Sequence, residues 1–106
     1  MNRHKLVPAT LALLFLATTA AFAQNDNTTT FNSNCAMCHG ADGRGNTPAG
    51  KHFGAKDLRS TQVKSLTDTQ IKQVITDGRK AMPAYGKHLN ADQIEGLVQY
   101  IRQLQK

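Results

Sequence analysis

Tryptophan is absent from this chain of 106 residues, and the other large aromatics are few, four Phe and two Tyr. Phe15 and Phe22 fall within the first 23 residues. The remainder therefore has little large apolar volume with which to fill a core. No stretch alternates apolar and polar residues cleanly, which excludes a sheet and leaves helices. Acidic residues are scarce, with 7 Asp+Glu against 13 Lys+Arg. The lysines are scattered along the chain, and that excludes a nucleic-acid binder. Only one long apolar run exists, Leu6 to Ala23. Its 18 residues are marginal for a membrane span of about 20, so an uncleaved membrane anchor is one reading of it.

That run has another meaning. Arg3 and Lys5 precede it, and the small-residue pattern Ala21-Phe22-Ala23 closes it. A basic start, an apolar middle and an A-x-A end mark a secretory signal peptide. Residues 1–23 are expected to be cleaved during Sec export to the periplasm, leaving no stable membrane insertion. The expected domain, residues 24–106, is near the size at which a core alone barely suffices. Without Arg3 and Lys5, 11 basic residues stand against 7 acidic ones. A modestly basic, monomeric protein suits encounter with partner proteins that carry acidic patches.

The two cysteines that the chain does have stand as Cys35-Ala36-Met37-Cys38-His39. In an exported protein an isolated pair would become a disulfide. Followed directly by His, the Cys-x-x-Cys spacing is instead the attachment signature of c-type haem. Each thiol adds across a haem vinyl group, and the His becomes an axial ligand of the iron. A thiol redox protein would place its Cys-x-x-Cys in a βαβ setting, which this sequence lacks.

Around the motif the pattern predicts helices. One starts near residues 26–29 and runs into Cys35, with Phe31 on the face of Cys35 and Gly40 as its stop. Residues 40–54 hold five glycines and Pro48 and read as loop. A short helix is expected within residues 56–64, with Leu58 and Val63 inward. Thr67 with Gln70, and Asn90 with Gln93, are two capping boxes. They open amphipathic helices that carry Ile71, Val74 and Ile75 in one case and Ile94, Leu97, Val98, Ile101 and Leu104 in the other.

Between those two helices stands Met82-Pro83. Met1 belongs to the leader and Met37 to the attachment segment, so Met82 alone is placed to ligate the other face of an iron. A thioether there favours the reduced metal and raises the potential. A lone Met is otherwise core filler. His52 or His88 would make a bis-His centre instead, and a missing second ligand would leave an open iron.

These features together resemble the monohaem class I c-type cytochromes, the small exported bacterial ones in particular. The resemblance covers nearly all of residues 26–106. It rests on Phe31, the Cys35–Gly40 motif, Ala41-Asp42-Gly43-Arg44-Gly45, Met82-Pro83, and the Leu97-Val98-Gln99-Tyr100-Ile101 segment. It implies an all-α fold of three to five helices wrapped around one covalently attached haem c. Its first and last helices would cross, with Phe31 against Leu97 and Tyr100 and a close approach at Gly96. It also implies a proline carbonyl that accepts a hydrogen bond from the proximal His, a role carried here to Pro48. The implied function is electron transfer, one electron at a time through Fe(II)/Fe(III), between exported or membrane-bound redox partners such as respiratory or reductase complexes. An enzyme or gas sensor would need an open iron position. A catalytic distal His-Arg pair is not evident in the sequence. A permanent place in a larger oxidoreductase complex would use the same chemistry.

Overall fold

Helix α6 (Ala91–Leu104) begins where its capping box says it should. Asn90 Oδ1 accepts from Gln93 N–H at 2.8 Å, and Gln93 Oε1 accepts from Asn90 N–H at 2.9 Å. Helix α5 (Asp68–Asp77) opens in the same way on Thr67 and Gln70. Each box satisfies two backbone donors that a helix start leaves without partners. The computed structural model describes residues 10–14 and 19–106. Most of the expected signal peptide, residues 1–9 and 15–18, lies outside the described residues.

Helix α1 spans Thr19–Asn34. It starts upstream of the expected 26–29, because the alanine-rich stretch before Gln24 also favours helix. Phe31 is fully buried on α1, and its ring lies 4.8 Å from that of Tyr100 on α6. Leu97 and Val98 of α6 are buried to about the same degree. The expected crossing of the first and last helices is therefore present. At Gly96 the close neighbour is the side chain of Asn27, which occupies the space a Cβ would need.

The chain bends at Cys35, whose φ and ψ are −119° and −34°. Helix α2 (Ala36–His39) follows as a single turn and stops at Gly40, in a left-handed φ of 78°. The stretch read as loop from 40 to 54 contains a helix, α3 (Pro48–Phe53). Thr47 caps it, and Pro48 sits at its first position, where a missing N–H costs nothing. A further turn, α4 (Thr61–Lys64), falls inside the expected 56–64 region, and both Leu58 and Val63 are buried. The described residues thus form six helical segments. The sequence reading differs in joining α2 to α1 and in taking α3 as loop.

The segment between α3 and α5 has little regular structure of its own, and α6 holds it. Arg102 Nε donates to Asp68 Oδ1 at 2.8 Å, while its other nitrogens reach the Lys64 and Leu66 carbonyls. Gln105 Nε2 donates to the Leu58 carbonyl at 2.7 Å. These bonds keep Leu58, Val63 and Leu66 over the interior, where they wall a cavity.

Candidate cofactor site

A cavity of about 200 Å³ lies among α1, α5, α6 and the Met82 loop. Its lining is mostly apolar, with Phe31, Leu58, Ile75 and Leu97 among the walls. Cys35, Cys38, His39 and Met82, up to 47 positions apart in sequence, all line it. Pro48 does not.

The attachment segment is held by its neighbours' polar atoms. Gly45 N–H donates to the His39 carbonyl at 2.7 Å. The Thr47 hydroxyl lies 2.7 Å from the Met37 carbonyl and 3.0 Å from that of Cys38, and accepts from Gly50 N–H at 2.9 Å. Gly50 packs so closely on the Cys38 carbonyl that a Cβ there would collide with it.

His39 Nδ1 lies 2.9 Å from a backbone carbonyl, and that carbonyl belongs to Lys56. The family resemblance had carried this role to Pro48. Pro48 instead opens α3 and is exposed, whereas residues 54–56 run along the cavity wall. A carbonyl oxygen only accepts, so Nδ1 carries the ring proton and donates it. Nε2 is then the lone-pair nitrogen, the form of imidazole that ligates a metal.

Both cysteines are free and half-buried. Burial pushes the Cys35 thiol up to about 11. A free Cys35 is therefore a neutral thiol at pH 7, unlike the lowered cysteines of thiol redox motifs. The Tyr85 phenol is raised as well, by its burial first and then by the nearness of Cys35 and Cys38. It stays an O–H donor.

Met82 is half-buried and ends a tight turn. Arg79 and Met82 exchange backbone hydrogen bonds at 3.1 and 2.9 Å, with Lys80 between them at a φ of 54°. His52 and His88 are exposed, and neither lines the cavity. His52 packs edge-on against Phe53, 4.7 Å between ring centres. Of the lysines near the site, Lys56 and Lys80 line the cavity, while Lys51 and Lys87 do not. Arg79 lines it also.

Two free thiols three apart, an imidazole with a free Nε2, a half-buried thioether and an apolar wall fit a covalently held haem in both donor set and polarity. Sequence reasoning missed Thr47, the backbone carbonyl of Lys56 and Tyr85. The Thr47-Pro48 pair is a readable cap-and-first-turn signal. The Lys56 contact runs through a backbone carbonyl and leaves no side-chain trace, and the Tyr85 contact joins residues 51 positions apart.

Comparison with known proteins points to the same cofactor. Residues 23–101 match the family described as cytochrome c oxidase, cbb3-type, subunit III. The chain is 41% identical over 73 residues to cytochrome c6 of Rippkaea orientalis, covering 69% of this chain and 63% of that protein. It is 33% identical over 108 residues to the cbb3-type cytochrome c oxidase subunit CcoP of Azospirillum brasilense, covering 98% of this chain and 37% of that protein. The chain thus spans less than two thirds of the length of either relative. Among solved structures, the KustC0563 c-type cytochrome superposes with a TM-score of 0.70 at 25% identity, over 76% of this chain and 99% of that one.

Proposed function

We propose a function on one premise: the chain belongs to the c-type cytochromes, as a small monohaem class I member matching the cbb3-type subunit III family. In this reading the protein is an electron carrier that passes one electron between exported or membrane-bound partners. Bound in the cavity, the haem supplies the Fe(II)/Fe(III) couple. Cys35 and Cys38 hold it through thioether bonds. His39 is the proximal ligand, kept in its Nδ1–H tautomer by the Lys56 carbonyl. Met82 is the second ligand.

The observation that carries this reading is the convergence of Cys35, Cys38, His39 and Met82 on one apolar cavity from which His52 and His88 are absent. Were His39 and Met82 both to hold the iron, no coordination position would be open to a substrate, which favours the carrier role over enzyme or sensor. The apolar walls would limit water at the metal, and together with the Met82 sulfur they would favour its reduced state.

The test is the visible spectrum of the purified exported protein, oxidised and then reduced. Sharp c-type bands on reduction, with the weak far-red sulfur-to-iron band in the ferric form, are expected. Haem bands without the far-red feature would replace the carrier reading with a bis-His or open-site protein. In Met82→Ala the potential should fall by something on the order of 0.1 V, and the far-red band should vanish.

Lys56, Arg79 and Lys80 put positive charge beside the cavity, which suits acidic docking patches on redox partners. Electron transfer should slow as ionic strength rises, and a salt-independent rate would remove steering from the account. The functional domain of this reading is residues 24–106, in the periplasm, after Sec export and cleavage behind Ala23. N-terminal sequencing of the secreted protein should begin at Gln24. Among the described residues, no helix is long and apolar enough to cross a membrane. The family match to an oxidase subunit favours a second reading, in which this domain docks permanently in a larger complex. Co-purification with a membrane oxidase would select it.

A further inference from the structure

Tyr85 stands three residues after Met82, and Asn34 stands one residue before Cys35. The Tyr85 hydroxyl donates to the Asn34 backbone carbonyl at 2.8 Å. This bond exists because of the bend at Cys35. A regular helix would give the Asn34 carbonyl the N–H of Cys38. That N–H instead meets the Cys35 carbonyl at 3.3 Å. The Asn34 carbonyl is therefore left over at the end of α1, the position where helices need an outside partner, and Tyr85 provides it.

The rest of Tyr85 is anchored as well. Its N–H donates to the Ile75 carbonyl at 2.9 Å, and its own carbonyl accepts from the N–H groups of His88 and Leu89. The ring is half-buried and lines the cavity. Met82, by contrast, exchanges its backbone hydrogen bonds with Arg79, within its own turn.

We propose that Tyr85 is the positioning residue for the Met82 thioether: its hydroxyl, fixed on the Asn34 carbonyl, ties the Met82 loop to the chain that carries Cys35. The tie sets the spacing between the loop that offers sulfur and the segment that holds the haem. It biases the loop toward the state in which the second axial position is filled. This inference rests on Met82 ligation as proposed above.

The test uses the haem-loaded protein and imidazole as an added ligand that competes with Met82. Tyr85→Phe keeps the ring and removes the hydroxyl. Loss of one net hydrogen bond from the closed loop should raise the apparent imidazole affinity of the ferric protein about fivefold. The reduction potential should fall in parallel. Tyr100→Phe, which removes a hydroxyl from the ring that packs on Phe31, should leave imidazole affinity at the wild-type value. Thermal unfolding of both variants separates general destabilisation from loop release, since only the latter changes ligand affinity out of step with the melting temperature. Wild-type imidazole affinity in Tyr85→Phe, in a protein that shows the far-red band, overturns the Tyr85 inference and leaves Met82 ligation standing. A wild-type protein without the far-red band overturns both.

Discussion

The two sides of the cavity are built in different ways. On the attachment side, Cys35–His39 is locked by neighbours from three separate stretches: Gly45, the Thr47–Gly50 start of α3, and Lys56. Its carbonyls are satisfied and its imidazole tautomer is set. On the other side, Met82 ends a four-residue turn with Lys80 in a left-handed conformation that a side chain disfavours. That turn is tied down through Tyr85. A covalent cofactor gains from a rigid cradle, since its attachment is permanent. On the proposed ligation the bond from the Met82 sulfur would be weaker and exchangeable, and its loop is the place where sequence changes would tune potential with least damage to the fold.

Substitutions can break this contrast or sharpen it. The largest effect is expected at Gly50, where any Cβ meets the Cys38 carbonyl. Gly50→Ala should destabilise the haem-loaded protein by about 3 kcal/mol, the upper range for overpacking. Chemical denaturation followed at the haem band measures it. A loss below about 1 kcal/mol would show the attachment side to be softer than its contacts imply. Thr47→Val removes the cap of α3 and the hydroxyl that braces two carbonyls, at about 1.5 kcal/mol. Unlike Tyr85→Phe, it should leave imidazole affinity unchanged. A rise in that affinity would erase the division between the two sides. The smallest effect is expected at Lys80. Replacement by Gly relieves the positive φ but adds freedom to the unfolded chain, for a net gain of about 0.5 kcal/mol in thermal stability. A loss of stability would mean that the turn is not strained.

Much of the helical frame was legible in the sequence. The capping boxes at Thr67 and Asn90 are local chemistry, confined to four residues, and they appear as read. The stripe Ile94–Leu97–Val98–Ile101 is buried as its spacing requires. The loop reading of residues 40–54 missed α3 because five glycines outweighed the one local signal that opposed them, Thr47 before Pro48. The choice of Pro48 as the partner of His39 failed for another reason. A backbone carbonyl is supplied by any residue, so no side chain at position 56 announces it. No local signal marks Tyr85, because its hydrogen bond depends on the bend at Cys35, which leaves the Asn34 carbonyl without its helical partner.

The sequence by itself determined the chemistry: the thiols, the imidazole and the thioether are residue types, and their spacing along the chain named the cofactor. It also determined where the main helices begin, because caps and periodicity act within a few residues. Only the tertiary structure decided which carbonyl holds His39, which hydroxyl ties the Met82 loop, and which of the lysines stand beside the cavity. Those contacts join residues from 17 to 51 positions apart. Their geometry exists only once α1, α5 and α6 have packed, since burial and close approach are properties of the folded surface and not of any local segment.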